Sequence, residues 1–449
     1  MNSLETQIGE WRTYVSRARS LNGRDVDELE GHLRDQIADL HEVGLDEDEA
    51  FLVAVKRMGG VDELSHEFAR EHSERLWKQL VLADVAEPVS GRKGLAETLL
   101  FAGLAAAAVQ APRLLALLPG NPDVIPFLVR NTFWVVLLFL AWYYVRRNHL
   151  TRRQALVTTI PFAISAALVN LYPWESEDGT QILALLHLPV ALWFVVGYSY
   201  MGGTWALHGR RMDFVRFTGE WFIYYVLIAL GGGVLVALTS LILEPISVWF
   251  AQKLLEWVLL SGAAGAVIVA AWLVEAKRGV VENMAPVLTN LFTPLFAVML
   301  AGSAATYALT SLGGDFDREL LTVFDALLVV VLGLVLYGMS ARDPEQPPGL
   351  LDRILLVAIV GALALDLMVL GSMAIRIGEL GFTPNRVAAI GLNLVLLVNL
   401  VGAAWLSGRF VSGRATFPIQ ERWQTTYLPV LGLWAAAVVV VLPPLFSFG

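Results

Sequence analysis

The sequence contains no cysteine and few charged residues. Without cysteine, disulfide bonds, thiol catalysis and thiolate metal sites are excluded, although the cellular compartment is not thereby defined. Charged side chains make up only 16% of the 449 residues, whereas soluble domains average roughly 25%. Hydrophobic residues make up 56%, so the composition indicates a protein that lies largely in lipid.

The chain also lacks a basic face and an apolar N-terminal leader. Residues 1–94 carry 12 Lys and Arg against 20 Asp and Glu, a net charge of −8, and the remaining 20 against 21 give −1. A nucleic-acid-binding protein would need clustered positive charge, so we exclude that class. The first thirty residues are polar, and we expect no cleaved signal peptide. The charge distribution indicates an acidic soluble domain joined to a nearly neutral membrane body.

Familiar catalytic and metal-binding patterns are missing as well. The sequence shows no arrangement typical of a Ser-His-Asp triad and no His-Glu-x-x-His motif. Four histidines fall in the N-terminal region, but their spacing is not that of metal ligands, and we interpret them as surface residues. They are His32, His41, His66 and His72. We therefore expect no catalytic residues, no metal and no cofactor, and favour a protein that is not an enzyme.

Residues 1–80 have the pattern of a small acidic helical bundle. Apolar residues recur every three or four positions on successive segments, as expected for amphipathic helices. Acidic helix-start signals occur at Asp25 and Asp46. We predict three helices and a fourth that begins near Val61, followed by a linker over residues 81–94.

Part of this region resembles the bacterial permease prefix domain. The resemblance lies in the stretch from Glu28 to Phe51, ELEGHLRDQIADLHEVGLDEDEAF, and in the stretch from Met58 to Leu64, MGGVDEL. That family is a small helical bundle attached in front of various membrane proteins. The resemblance implies an interaction or regulatory module that binds a cytoplasmic protein partner, and it implies no catalytic residue.

The remainder, residues 95–449, contains apolar segments long enough to cross a bilayer, which takes about 20 residues. The first is interrupted by Pro112 and Arg113, and we expect Arg113 to extend towards the membrane interface. The sequence thus predicts an all-α polytopic protein with about eleven transmembrane helices. The predicted segments are 95–118, 126–145, 154–172, 181–207, 219–243, 251–274, 286–309, 321–340, 350–375, 385–406 and 427–446.

Basic residues in the connections alternate in density from one side of the membrane to the other. The connections that share a side with the N-terminus hold 14, against four on the opposite side, which are Lys253, Arg318, Arg376 and Arg386. Positive charge accumulates on the cytoplasmic side of membrane proteins. We therefore predict a multi-pass protein of the bacterial inner membrane, in contact with its lipids, with a cytoplasmic N-terminus and an extracytoplasmic C-terminus.

Residues 350–406 form a hairpin of two apolar helices that carries the candidate ligand or ion path. Asp366 and Asn393 lie within the two helices, and an ionisable residue inside a membrane is costly and often functional. The outer turn between the helices adds Arg376, Glu379 and Arg386. We predict a polar strip from Arg386 through Asn393 to Asp366. The alternative is that Asp366 is protonated, or hydrogen-bonded to Asn393, and only fixes helix packing.

The turn of this hairpin carries a second resemblance. The stretch from Gly381 to Val387, GFTPNRV, resembles a motif of the bacterial membrane family called domain of unknown function 4153. The resemblance extends loosely over the helical body. It implies a polytopic inner-membrane protein and assigns no catalytic role to Arg376 or Arg386.

Other polar residues in the apolar segments carry weaker predictions. We interpret His187 as a hydrogen-bonded packing residue and place Glu220 near a segment end, where water reaches it. Asn170, Asn399 and Asp325 either line a cavity or bridge helices.

Three functions remain open. The first is a regulatory or sensory membrane protein whose acidic domain engages a cytoplasmic partner. The alternative is a transporter or permease with a substrate or proton path at Asp366 and Asn393, although no internal repeat supports it. The third and least favoured is a membrane-embedded transferase that would use Glu175, Glu177 and Asp178 of an outer loop.

Overall fold

The computed structural model describes nine stretches of the chain. They are residues 3–15, 23–42, 45–58, 88–115, 125–174, 179–243, 247–276, 284–310 and 318–448. Over these stretches the regular structure is entirely helical. The chain divides into two compact units, Met1–Gly94 and Leu95–Gly449.

In the first unit, three amphipathic helices surround a small apolar core. They are α1 (Ser3–Val15), α2 (Gly23–Glu42) and α3 (Glu47–Met58). The core consists of Ile8, Trp11, Leu33, Ile37, Leu40, Ala50, Phe51, Ala54 and Val55. Most of these are the positions at three- and four-residue spacing, because only that spacing keeps a helix face turned inward.

Of the two helix starts predicted at Asp25 and Asp46, the structure confirms the second. Asp46 caps α3, since its Oδ1 accepts a hydrogen bond from the Glu49 backbone N–H at 2.7 Å. The prediction at Asp25 is wrong, because α2 already begins at Gly23. The fourth helix predicted from Val61 lies outside the described residues.

The second unit consists of long helices joined by short connections. The helices are α4 (Pro88–Leu115), α5 (Ile125–Arg147), α6 (Arg152–Leu171), α7 (Thr180–Tyr200), α8 (His208–Leu243), α9 (Val248–Ala276), α10 (Met284–Thr310), α11 (Arg318–Ala341), α12 (Leu350–Leu380), α13 (Pro384–Val411), α14 (Phe417–Val440) and the single turn α15 (Leu442–Leu445). Helix α4 begins in the first unit, inside the predicted linker.

Ten helices of the described ranges are long and apolar enough to cross a membrane. Helix α10 contains a shorter apolar stretch, Leu291–Tyr307, so each of the eleven predicted segments falls on a helix. The chain is therefore an all-α multi-pass membrane protein. Helices satisfy their own backbone hydrogen bonds, which lipid cannot do.

Two predicted segments begin ten or eleven residues too late. Helix α8 begins at His208, eleven residues before the predicted segment, and α14 spans Phe417–Val440 instead of 427–446. Hydropathy marks only the apolar part of a helix, whereas both of these helices begin with a polar, charged turn.

The membrane helices pack into two apolar clusters. One is built mainly from α4 to α9 and the other mainly from α10 to α14. Helices α7 and α14 pack closely together where the two clusters meet. The Phe194 ring of α7 lies against Gly432 of α14, so close that a Cβ atom at position 432 would be 2.8 Å from the ring. Helix α14 also lays Trp434 against Gly391 of α13. These contacts fix the hairpin of α12 and α13 inside the second cluster.

A charge network ties α1 to α2 at the surface of the first unit. The Arg34 guanidinium donates to the Glu5 carboxylate at 2.7 and 2.9 Å and to Glu30 at 3.0 Å, and Arg12 also bonds Glu30. The hydrogen bond from Arg34 lowers the pKa of Glu5. At Glu30, burial raises the pKa, but the bonds from Arg12 and Arg34 outweigh it and leave the pKa lowered.

We expect Arg34→Met to loosen α1 at neutral pH. Because both glutamates have lowered pKa values in the folded state, the network stabilises the unit above 4.5, the ordinary glutamate pKa. Its contribution is lost as pH falls through the lower, folded pKa values. Amide exchange of residues 3–15 in the full-length protein, followed by mass spectrometry, should be about threefold faster in the variant at neutral pH.

The difference from wild type should vanish in acid. Arg152→Met, which removes an exposed arginine in the second unit, should leave the exchange of α1 unchanged. A difference for Arg34→Met that is as large in acid as at neutral pH would contradict the assignment.

Candidate functional site

Three polar residues lie on the inward-facing stripes of α11, α12 and α13, among apolar contacts. Asp366 lies on the buried stripe of α12 and Asn393 on that of α13, and both are 0% exposed. Asp325 is half-buried on α11, on the same stripe as the buried Leu321 and Leu328. We call these three residues the carboxylate site.

Asn393 is the connecting residue of the carboxylate site. Its Nδ2 donates to Asp325 Oδ1 at 2.7 Å and to the carbonyl of Ala389 at 2.9 Å, and contacts Met373 Sδ at 3.8 Å. Its Oδ1 is enclosed and has no hydrogen-bond partner among the described residues. The amide thus joins α13 to α11 and still offers one buried acceptor.

Asp366 lies deeper, and its carboxyl group is unpaired. Neither Oδ1 nor Oδ2 has a hydrogen-bond partner within the part of the chain that the structure describes. Among the described residues, the charge that acts on it is that of Asp325. A hydrogen bond between Asp366 and Asn393 was one alternative from the sequence, and the described structure does not contain it.

Asp366 and Asn393 lie at different depths because α12 is longer than the sequence predicted. That helix continues past Arg376 to Leu380, 14 residues beyond Asp366, which corresponds to about 21 Å. Asn393 is nine residues after Pro384, or about 14 Å from the same end. Asn393, whose side chain contacts Met373, is therefore between one and two helical turns closer to the hairpin turn than Asp366.

Arg386 belongs to the hairpin turn instead of the carboxylate site. Its Nη1 donates to the carbonyls of Leu380 at 3.0 Å and Gly381 at 2.8 Å, which are among the unpaired carbonyls at the end of α12. Gly381 has a φ of +73°, a conformation that favours glycine. Thr383 caps α13 by accepting from the Arg386 backbone N–H at 3.4 Å. The GFTPNRV stretch is thus explained by capping at both helix ends.

The other two candidate residues predicted for the hairpin turn are not enclosed. Arg376 is half-buried and Glu379 is exposed. Neither side chain makes a hydrogen bond or ion pair with the described residues. The structure therefore brings Asp366 and Asn393 together with Asp325, and leaves Arg376, Glu379 and Arg386 at the turn.

The carboxylate site is suited to holding a proton or a small cation. An ionised carboxylate without a partner in an apolar interior is strongly disfavoured, so Asp366 is stable either as a neutral acid or beside a cation. Across the described residues, no group of three or more His, Cys, Asp or Glu side chains is placed to hold a metal ion. Two carboxyls and an amide oxygen remain as the donor set.

Several other polar residues in the membrane helices bridge neighbouring helices. Asn131 and Asn170 exchange side-chain hydrogen bonds at 3.1 and 2.7 Å between α5 and α6, and Asn399 donates to Gln424 at 2.8 Å. His187 bonds its own helix at the Leu183 carbonyl. Glu220 was expected near water, yet it is only 4% exposed, because α8 extends a dozen residues before it.

Sequence reasoning gave Asp325 too little weight. The residue was treated as one of several cavity-lining or bridging polar groups. The spacing of Asp325 from Leu321 and Leu328 is the sequence feature that indicates its place in the site, because it puts Asp325 on the inward stripe of α11. What the spacing could not show is that this stripe faces Asn393.

Compared with models of protein families, with curated proteins and with solved structures, the chain matches none of them. The resemblances to the permease prefix domain and to domain of unknown function 4153 therefore stay predictions.

Proposed function

We propose that the protein is a proton-coupled membrane transporter in which Asp366 binds the coupled proton. The observation that carries this proposal is the Asp366 carboxyl group, which is fully buried, has no hydrogen-bond partner among the described residues, and lies within range of the Asp325 charge. A carboxyl group that served only packing would be expected to have its oxygens paired.

The position of Asp325 and Asn393 supports a route for the proton. Asn393 is closer to the hairpin turn than Asp366, and it holds Asp325 by a hydrogen bond of 2.7 Å. Asp325 is half-buried, whereas Asp366 is enclosed. A proton that arrives at Asp325 can pass to Asp366, because two neighbouring carboxylates favour sharing a proton over both being ionised.

We expect Asp366→Asn to remove a titratable carboxyl group from the membrane interior. The full-length protein in lipid nanodiscs should show, by infrared titration, the C=O band of a protonated acid that disappears as pH rises, and the variant should lack it. Asp213→Asn, which replaces an exposed acid of α8, should retain the band.

The same titration shows whether the carboxylate site binds only protons or also binds sodium. If replacing potassium by sodium in the buffer moves the titration of the band to lower pH, the carboxylate site binds sodium in competition with protons. A band that persists in Asp366→Asn, or a wild-type protein without a titrating band, would contradict the proposal.

We also propose that the N-terminus is cytoplasmic and that the membrane is a bacterial inner membrane. The support comes from the 14 Lys and Arg residues in the connections that share a side with the N-terminus. They are Arg146, Arg147, Arg152, Arg153, Arg210, Arg211, Arg216, Lys277, Arg278, Arg342, Arg353, Arg409, Arg414 and Arg422. Arg113 and Arg130, inside helices near the opposite end, raise the opposing number from four to six, and the bias persists.

Single introduced cysteines test this orientation, since the natural chain has none. In intact cells, a membrane-impermeant maleimide should label Glu379→Cys and spare Arg152→Cys, because both positions are exposed and the proposal places them on opposite sides. Equal labelling of the two before lysis would contradict the proposed topology.

A regulatory role is the second candidate, and the separate N-terminal unit favours it. Its helices have their own apolar core, distinct from those of the membrane helices. Residues 1–94 also carry most of the net negative charge. We propose that this unit binds a cytoplasmic protein.

Cross-linking in cells tests the regulatory role. A photoreactive amino acid placed at the exposed position Asp35 of α2 should give a discrete adduct with a second protein. The adduct should be lost in Trp11→Ala, which removes a core side chain that is 2% exposed and should cost about 3 to 5 kcal/mol of unfolding free energy. An unchanged adduct pattern would show that the folded unit is not the binding element.

A further inference from the structure

A cavity of about 510 Å³ opens among α10, α11, α12, α13 and α14, at the end of the helices where Arg342 lies. Its apolar wall includes Met339, Leu355 and Phe410, and its polar wall includes Thr293, Ser407 and Gln420. The volume is within the range of about 300 to 1,000 Å³ that is usual for small-molecule sites. Leu355 is 11 residues before Asp366, about 16 Å along α12, so the cavity is separate from the carboxylate site.

Two of the three charged residues that line the cavity are paired with each other. Arg342 donates to Asp352 at 2.8 Å and to the carbonyls of Gln346 and Pro347 at 2.9 and 3.1 Å. Its guanidinium also lies 4.7 Å from the Phe410 ring centroid. Arg342 and Asp352 therefore neutralise each other.

The third charged residue, Asp343, is exposed, and its carboxylate accepts hydrogen bonds from the Glu345 backbone N–H at 3.1 Å and from Gln346 Nε2 at 3.3 Å. The buried part of the cavity wall thus offers no unpaired charge.

The unsatisfied group at the cavity wall is a neutral donor. Gln420 is 4% exposed, and its Oε1 accepts a hydrogen bond from Ser407 Oγ at 2.9 Å. Its Nε2 is buried and has no acceptor among the described residues. A buried donor without an acceptor is destabilising, so an acceptor supplied from outside the chain would be bound favourably.

We infer that this cavity binds a neutral or amphipathic molecule. An ester or amide carbonyl oxygen of the ligand accepts from Gln420 Nε2, and its apolar part packs on Met339, Leu355 and Phe410. Such a molecule can come from the bilayer as a neutral acylglycerol or from the aqueous phase as a small amide. The inference goes beyond proton coupling and does not depend on it.

Photolabelling of the full-length protein in nanodiscs tests the inference with two diazirine probes. One is a monoacylglycerol dissolved in the bilayer, and the other is N-acetyl-photoleucine methylamide in the buffer. We expect one of them to label peptides covering residues 338–355 and 407–420 in a saturable manner. An excess of the same molecule without the diazirine should abolish that labelling.

The variant Gln420→Leu should reduce the labelling of these peptides about tenfold, the loss expected for one hydrogen bond to a buried donor. Gln424→Leu is the matched control, because Gln424 is a 1% exposed glutamine on the same helix that does not line the cavity. Labelling by the lipid probe identifies a bilayer ligand, and labelling by the soluble probe identifies an aqueous one.

Two results would overturn the inference. One is labelling of the wild-type cavity peptides that neither saturates nor responds to competition, for both probes. The other is a well-folded Gln420→Leu variant that labels as wild type. If the Gln420→Leu variant does not elute as a single species in size-exclusion chromatography, the inference is judged on whether the diazirine-free molecule competes with labelling of the wild-type protein. Loss of the Asp366 infrared band would leave this labelling unchanged, so the two proposals fail independently.

Discussion

Lipid offers no hydrogen bonds, and this constraint organises the membrane part of the protein. Polar side chains within the helices therefore turn inward and pair across helix contacts, as Asn131 does with Asn170 and Asn399 with Gln424. Against that background, the groups left unpaired among the described residues are informative. Asp366 and the Nε2 of Gln420 are both buried without partners, and each lies where a ligand can satisfy it.

The hairpin of α12 and α13 links these two places in one structural element. Its turn is closed by Arg386, which binds the last carbonyls of α12, and by Thr383, which caps α13. Its body carries Asp366 and Asn393, and the opposite ends of the same helices wall the cavity beside Arg342. The two sites are about 16 Å apart along α12 but share helices, so a change in the packing of α12 would affect both.

The sequence predicted the class of fold well and the details of the site only in part. Hydropathy located a helix for each of the eleven segments, because the length of an apolar run is a local property. It misplaced the starts of α8 and α14, whose first turns are polar. At the site, it identified Asp366 and Asn393 as candidates and joined them in one polar strip, because the first helix of the hairpin was expected to end near residue 375 and not at Leu380.

Composition and periodicity by themselves determined that the protein is helical, spans a membrane many times and carries a separate acidic domain. These properties follow from each residue's own preference for water or lipid and from spacing along one helix. Only the tertiary structure decided that Asn393 contacts Asp325, that Asp366 has no hydrogen-bond partner among the described residues, and that Gln420 lies at the wall of a cavity. Such contacts join residues far apart in the chain, and they depend on the rotation and depth of each helix against its neighbours, which local patterns do not encode.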